Sequence, residues 1–167
     1  SDPDLQQLRL TTIIWDTTLR AEKYVKVFEA SSSPSPAVEC PALNQATGVP
    51  TASGWSPVVT QSFIYTNGKL TSETLSDEKA GELDRVTSYT YYGTGETEGL
   101  EHQLKTIDGP RASPINDITT FRYETNAAST THQLGDLKEI ERTLDGGANH
   151  ITKINEYDSA GRPKVVQ

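Results

Sequence analysis

The chain has 167 residues, enough for one domain of ordinary size, and a formal net charge of −8. That acidic surplus argues against a nucleic-acid footprint and against docking on anionic lipid, both of which need basic surface. No apolar run is long enough to span a membrane, and no secretory leader is visible.

Apolar residues make up 34 %, and even with the 12 Gly the fraction stays below the ~45–50 % usual for globular domains. The core is therefore expected to be thin, as in a single curved sheet with water on one face. Twenty-two Thr and seven Tyr favour a half-buried pleated surface. With no Met, the sequence reads as an excised or processed piece of something longer, with open ends. Cys40 is the only cysteine, so no disulfide framework or cysteine-rich metal site is available. It sits in Pro34-Ser35-Pro36-Ala37-Val38-Glu39-Cys40-Pro41 with no His nearby, which makes it a structural or incidental thiol.

Residues 8–20 contain a good strand in Thr11-Thr12-Ile13-Ile14-Trp15, and residues 21–29 suit a strand better than a helix. Residues 31–57 are rich in Ser, Pro, Ala and Gly and are expected to form an exposed loop or insertion that packs no core, pinned at its far end by Trp55. The whole chain is read as one segment, 1–167, with repeat-like units near 58–85, 86–117, 118–149 and 150–167. Residues 76–85 are charged and read as a connection between hairpins rather than a short helix.

The repeated pattern is aromatic–x–Tyr, a turn with Gly, then an apolar residue opening a polar strand. Its copies are Phe63-Ile64-Tyr65-Thr66-Asn67-Gly68-Lys69-Leu70, then Tyr89-Thr90-Tyr91 with Gly99-Leu100 and Leu104 after it. Phe121-Arg122-Tyr123 follows with Gly135-Asp136-Leu137, and last comes Tyr157-Asp158-Ser159-Ala160-Gly161-Arg162-Pro163. Phe63 and Tyr65 are two apart and share a strand face, as do Tyr89/Tyr91 and Phe121/Tyr123, while Ser88, Thr90, Thr120 and Arg122 point the other way. Asn67-Gly68 predicts a type I′ hairpin, because both residues tolerate positive φ. Gly135-Asp136 and Ala160-Gly161 offer similar turns, and Asp108-Gly109-Pro110 and Asp145-Gly146-Gly147 mark connections between hairpins.

Tyrosines 65, 91, 123 and 157 lie 26, 32 and 34 residues apart, with the differences absorbed in loops. Leu104/Ile107, Leu137/Ile140 and Pro163/Val166 sit three apart, which predicts a bulge or face switch in each second strand. Ile154 and Tyr157 cannot share a face on a regular strand. Lone hairpins are marginal in water, so the units should stack edge to edge and bury a continuous aromatic face. The fold class expected is all-β: repeated antiparallel hairpins forming an open-ended section of a coiled sheet.

Tyr157-Asp158-Ser159-Ala160-Gly161-Arg162-Pro163 resembles the YD-repeat motif, Tyr-Asp-x-x-Gly-Arg followed by an apolar residue. The stretches 63–70, 89–91 and 121–137 are looser copies. Thr12-Ile13-Ile14-Trp15-Asp16-Thr17-Thr18-Leu19-Arg20 and Thr106-Ile107-Asp108-Gly109-Pro110-Arg111 are similar to segments of proteobacterial Rhs proteins. The resemblance covers most of the chain outside 31–57. It implies hairpins spiralling into a hollow β shell, as in bacterial Rhs toxins, the cocoon components of insecticidal toxin complexes, and teneurins. In the bacterial members the shell encloses a toxic C-terminal polypeptide. The family's Asp-Pro-x-Gly self-cleavage motifs have no match here, since Ser1-Asp2-Pro3-Asp4 departs from them.

No catalytic, cofactor-binding or metal site is expected. His102, His132 and His150 form no ligand spacing and read as surface or turn residues. Glu96, Glu98, Glu101, Asp117, Glu139 and Glu141 read as polar-face acids rather than a glycosidase pair. Asp145-Gly146-Gly147 lacks the oxygen-ligand series of a calcium loop, and no phosphate loop or nucleophile elbow is present.

The function expected is a structural segment of a secreted or cell-surface bacterial shell that shields a toxin for export. Its partners are then the rest of its own longer chain and the enclosed polypeptide, and open sheet edges should promote self-association. The alternatives are a carbohydrate- or cell-surface-binding module, in which Tyr side chains, Trp15 and Trp55 stack on sugars, and a wall-associated stalk.

Overall fold

The computed structural model describes residues 9–30, 41–78, 82–97, 100–111, 117–143 and 148–167. Cys40, Ser1-Asp2-Pro3-Asp4, Glu98, Gly99 and the Asp145-Gly146-Gly147 turn lie outside them. Among the described residues the chain is all-β, with antiparallel strands and no helix. The strands are β1 (Arg9–Asp16), β2 (Ala21–Ala30), β3 (Trp55–Thr66), β4 (Lys69–Asp77), β5 (Arg85–Tyr91), β6 (Leu104–Asp108), β7 (Ile118–Tyr123), β8 (Leu137–Thr143), β9 (Asn149–Tyr157) and β10 (Pro163–Val166). They belong to two compact units, Ser1–Val86 and Thr87–Gln167.

The first unit is a meander in which β1 pairs with β2, β2 with β3 and β3 with β4. Phe28 is its best-buried side chain, at 1 % exposure, and burying it contributes about 2–3 kcal/mol. Phe28 lies opposite Leu10 on β1, so both serve one face. Residues 41–51 do more than the sequence suggested. Asn44 Oδ1 accepts the N–H groups of Ala46 and Thr47, closing a tight turn, and Leu43 bridges Pro50. Gly48, buried and at φ +67°, lies against Thr12 and Ile14, where a Cβ would come within 2.9 Å of Ile14. The small residues that looked unable to pack allow this close approach. Trp55, Ser56 and Pro57, expected in the loop, open β3 instead.

The second unit continues the pattern, with β5–β6, β6–β7, β7–β8, β8–β9 and β9–β10 antiparallel. Its core is equally thin. Among the described residues, Leu100 (1 % exposed) and Ile154 (7 %) are the buried hydrophobic side chains there. Tyr89, Tyr91, Phe121 and Tyr123 are half-buried, while Thr90 and Arg122 are exposed. Of the residues expected to face away from the aromatics, Ser88 and Thr120 are half-buried as well. On the polar face, Arg122 pairs with Glu139 and Glu141 across the β7–β8 ladder.

Candidate functional site: the seams between hairpin modules

Chemistry-bearing side chains in this fold are spent on holding hairpins together. The clearest hairpin is at the C-terminal end. Gly161 N–H donates to the Asp158 carbonyl (2.9 Å), Asp158 N–H donates to the Arg162 carbonyl (3.0 Å), and Gly161 sits at φ +74°. This is a three-residue loop whose last residue must be left-handed. The Asp158 carboxylate accepts the N–H groups of Ala160 and Arg162, and Arg162 Nε closes back on it at 2.8 Å. Those donors, the Arg162 groups foremost, hold the Asp158 carboxyl below the usual carboxylate range. Asp158, Gly161 and Arg162 of the motif thus each have a physical task in the turn.

The same backbone circuit closes two longer loops. Gly135 N–H donates to the Glu124 carbonyl (2.9 Å) and Glu124 N–H to the Asp136 carbonyl (2.8 Å), with Gly135 at φ +88°. In the preceding hairpin, His102 N–H donates to the Tyr92 carbonyl (3.1 Å) and Tyr92 N–H to the Gln103 carbonyl (2.9 Å). His102 therefore occupies the glycine position, at φ +80°. The second turn was expected over Gly93 to Gly99, of which Gly99 lies outside the described residues; the left-handed residue beside the second strand is His102.

In the first unit Asn67 (φ +52°) and Gly68 (φ +76°) both have positive φ, as a type I′ turn requires. A further copy begins at Trp15-Asp16. Asp16 Oδ1 accepts the N–H groups of Thr18 and Leu19, and Arg20 takes the left-handed position at φ +53°. Sequence reading placed Trp15 in a strand, in the stretch similar to Rhs proteins and among the residues that could stack on sugars, but in no hairpin unit. The signal was an aromatic followed by Asp, as at Tyr157-Asp158, and it was hidden because Arg20 replaces the glycine.

Among the described strands, the five hairpins share a second-strand bulge. Trp15 pairs with Glu22, Tyr65 with Leu70, Tyr91 with Leu104, Tyr123 with Leu137 and Tyr157 with Pro163, each beside a register shift. The extra residues are Lys23, Thr71, Lys105, Lys138 and Lys164. This is the face switch that the three-residue spacing of Leu104/Ile107 and Leu137/Ile140 predicted. The bulge lysines turn onto local partners: Lys105 onto Glu96 and the Tyr92 ring, Lys138 onto Glu124 (3.2 Å), and Lys164 onto Glu156 (2.7 Å). A further bulge at Asn155 in β9 shifts the alternation between Ile154 and Tyr157, so the regular-strand limit on that pair does not apply.

Successive modules of the second unit are joined by hydrogen bonds running both ways. Backwards, Tyr123 Oη donates to the Leu104 carbonyl (2.9 Å) and Tyr157 Oη to the Leu137 carbonyl (2.7 Å). Each tyrosine reaches the residue that opens the second strand of the module before it. Forwards, Tyr92 Oη donates to the Phe121 carbonyl (3.2 Å) and His132 Nε2 to the Ile154 carbonyl (2.7 Å). Rings meet edge-on at both seams, Tyr92 on Tyr123 at 5.9 Å and His132 on Tyr157 at 5.6 Å. Burial pushes the Tyr123 and Tyr157 hydroxyls up, which keeps both as donors across neutral pH.

His132 was expected at the surface or in a turn. It lies in the loop between β7 and β8, but its side chain is only 5 % exposed. With Nε2–H given to Ile154, Nδ1 accepts from the Thr131 hydroxyl at 2.9 Å. The nearby Glu124 carboxylate accepts the Thr125 and Asn126 N–H groups and Lys138 Nζ, and the Asn126 bond leads in lowering its pKa. His132 Nδ1 stands 4.0 Å from Glu124 Oε2. Both ring nitrogens are engaged, so this cluster braces a loop and presents no free base.

Most of the other candidates face local partners; Asp117 Oδ1 is buried without a hydrogen-bond partner among the described residues. Glu96 pairs with Lys105, and Asp117 Oδ2 accepts the Arg111 N–H (3.2 Å). Glu139 and Glu141 share Arg122, and His150 is exposed on β9 opposite Arg142. Among the described residues no cluster of His, Cys, Asp or Glu is arranged to hold a metal ion. No described helix is long and apolar enough to cross a membrane. Trp15 is 54 % exposed, beside Ile13 at 46 %. Comparison with known proteins returned no matching family, no matching curated protein and no matching solved structure.

Proposed function

We propose that this chain is a structural segment of an Rhs-type shell, whose parent encloses and shields a C-terminal toxic polypeptide. One observation carries the reading: a single hairpin module recurs five times, with the same left-handed closing position and the same second-strand bulge. Repetition of one module builds an extended surface by stacking each unit on its neighbours. The YD-type sequence at Tyr157–Arg162 supports the same reading, since its residues build that turn. In this account the chain is not an enzyme, takes no cofactor, and acts at or beyond the bacterial surface.

The test uses the full-length parent. Intact masses of everything that co-purifies should show a large shell fragment and a small C-terminal polypeptide retained together. One uncut chain with no cargo region would overturn the reading.

A second reading, a carbohydrate- or surface-binding module, is favoured by one feature, the open Trp15 indole. A glycan screen of the intact chain that perturbs Trp15 emission would support it. Silence at millimolar ligand would retire it.

A further inference from the structure

Asn67-Gly68 is the single Asn-Gly pair in the sequence, and it forms the tip of the β3–β4 hairpin. Both residues are exposed, and both take positive φ, +52° and +76°. A Cβ built on Gly68 would meet nothing within 4 Å, so the space beside its main chain is open. Glycine also brings no side chain of its own to shield its nitrogen. Among the described residues the Asn67 carboxamide enters no hydrogen bond. Other asparagines are held. Asn44 Oδ1 accepts the Ala46 and Thr47 N–H groups, Asn126 Oδ1 accepts the Ala128 N–H, and Asn149 Nδ2 donates to Glu141. Asn155 is half-buried within β9 and is followed by Glu156 rather than glycine.

From this contrast we infer that Asn67 is a self-modification site, at which the side-chain amide is lost and isoaspartate and aspartate replace asparagine. The Gly68 nitrogen attacks Asn67 Cγ. An N–Cγ bond forms, the Cγ–Nδ2 bond breaks, and the proton given up by the Gly68 nitrogen is returned through solvent to the departing ammonia. The product is a cyclic imide spanning the two residues. Water then adds to either imide carbonyl. Opening at the main-chain carbonyl leaves the chain running through Cβ and Cγ, which is isoaspartate. Opening at Cγ restores the main chain and leaves aspartate. Water is the one co-reactant, and each event adds a negative charge.

The two products act differently on the hairpin. Aspartate keeps the turn, since Asp-Gly suits a type I′ tip as Asn-Gly does. Isoaspartate inserts a methylene into the main chain between Thr66 and Lys69, the pair that closes the ladder. Loop length and turn type set hairpin register, so the Thr66–Lys69 pair and the Tyr65–Leu70 bulge beside it loosen in that product. This inference rests on the chemistry of the tip and stands apart from the shell proposal.

The test incubates the intact chain at mildly alkaline pH beside Asn67→Gly. Gly-Gly also accepts a type I′ turn, so the variant keeps the hairpin and lacks the amide. Circular dichroism confirms that its strand content equals the parent's. On isoelectric focusing the parent should gain a species shifted by a single negative charge, and the variant should not. Peptide mapping by mass spectrometry should place the amide-to-acid change at Asn67 before Asn44, Asn126, Asn149 or Asn155. Electron-transfer fragmentation should find both isoaspartate and aspartate there. A parent that keeps its Asn67 amide as long as its other asparagines overturns the inference. So does an equal charge shift in Asn67→Gly, because the amide is then lost elsewhere. Aspartate without isoaspartate overturns the cyclic route.

Discussion

Tyr157 donates its hydroxyl to the main-chain carbonyl of Leu137 at 2.7 Å, across the boundary between two hairpins. Tyr123 repeats the contact on Leu104. A backbone acceptor is indifferent to which side chain it carries, so one tyrosine per module joins hairpins whose sequences otherwise differ. The half-buried ring adds apolar contact on the same face.

Removing only the hydroxyl isolates that contribution. Tyr157→Phe and Tyr123→Phe should each destabilise the second unit by about 1 kcal/mol, the usual net value of such a bond. Both tryptophans, Trp15 and Trp55, lie in the first unit, so amide hydrogen exchange is the better monitor. Faster exchange confined to the adjoining hairpins is expected, and no change in either variant would mean the bonds contribute nothing.

The left-handed positions give opposite signs. Gly161→Ala meets nothing within 4 Å, so its cost is conformational alone, about 1 kcal/mol. Gly48→Ala adds contacts with Ile14 and Thr12 and should cost more, about 2–3 kcal/mol. His102→Gly should stabilise the second unit by about 0.5–1 kcal/mol, because the strain of a non-glycine residue at φ +80° is removed. Urea denaturation of the three variants checks the order.

His132→Ala should open the loop between β7 and β8. It leaves the Ile154 carbonyl without its donor and Tyr157 without its ring partner, at a cost of about 2 kcal/mol. The Tyr157 amide, which donates to the Thr131 carbonyl of that loop, should exchange faster. Protection equal to the parent's would show that the loop stands without His132.

Acid should weaken the hairpin turns. Asp158 and Glu124 have pKa values below their ordinary ones, because N–H groups and a neighbouring cation favour the charged form. Their stabilising effect is therefore complete above the unfolded carboxylate range and is lost as pH falls through the lower folded values. Asp158→Asn should flatten the acid limb of a stability profile. An acid limb identical to the parent's would remove Asp158 from this account.

What the sequence revealed depended on whether a position keeps its chemistry. Asn67-Gly68 was legible because a type I′ turn demands positive φ twice and few residue pairs allow it. The bulges were legible because Leu104/Ile107 and Leu137/Ile140 break period two. The Trp15 module and the His102 turn were missed, since Arg20 and His102 stand where glycine is the cue. His132 carried no signal, because its partners Ile154 and Tyr157 lie in the next hairpin and meet it only on folding. The packing of 41–51 on β1 was hidden by composition, since Gly48 makes a core contact by having no side chain.

The central claim concerns what the repeated module builds, and electron microscopy of the full-length parent tests it most directly. The account predicts a compact hollow particle with β-sheet walls and density inside. A thin extended rod, or a solid particle with no enclosed volume, would contradict it.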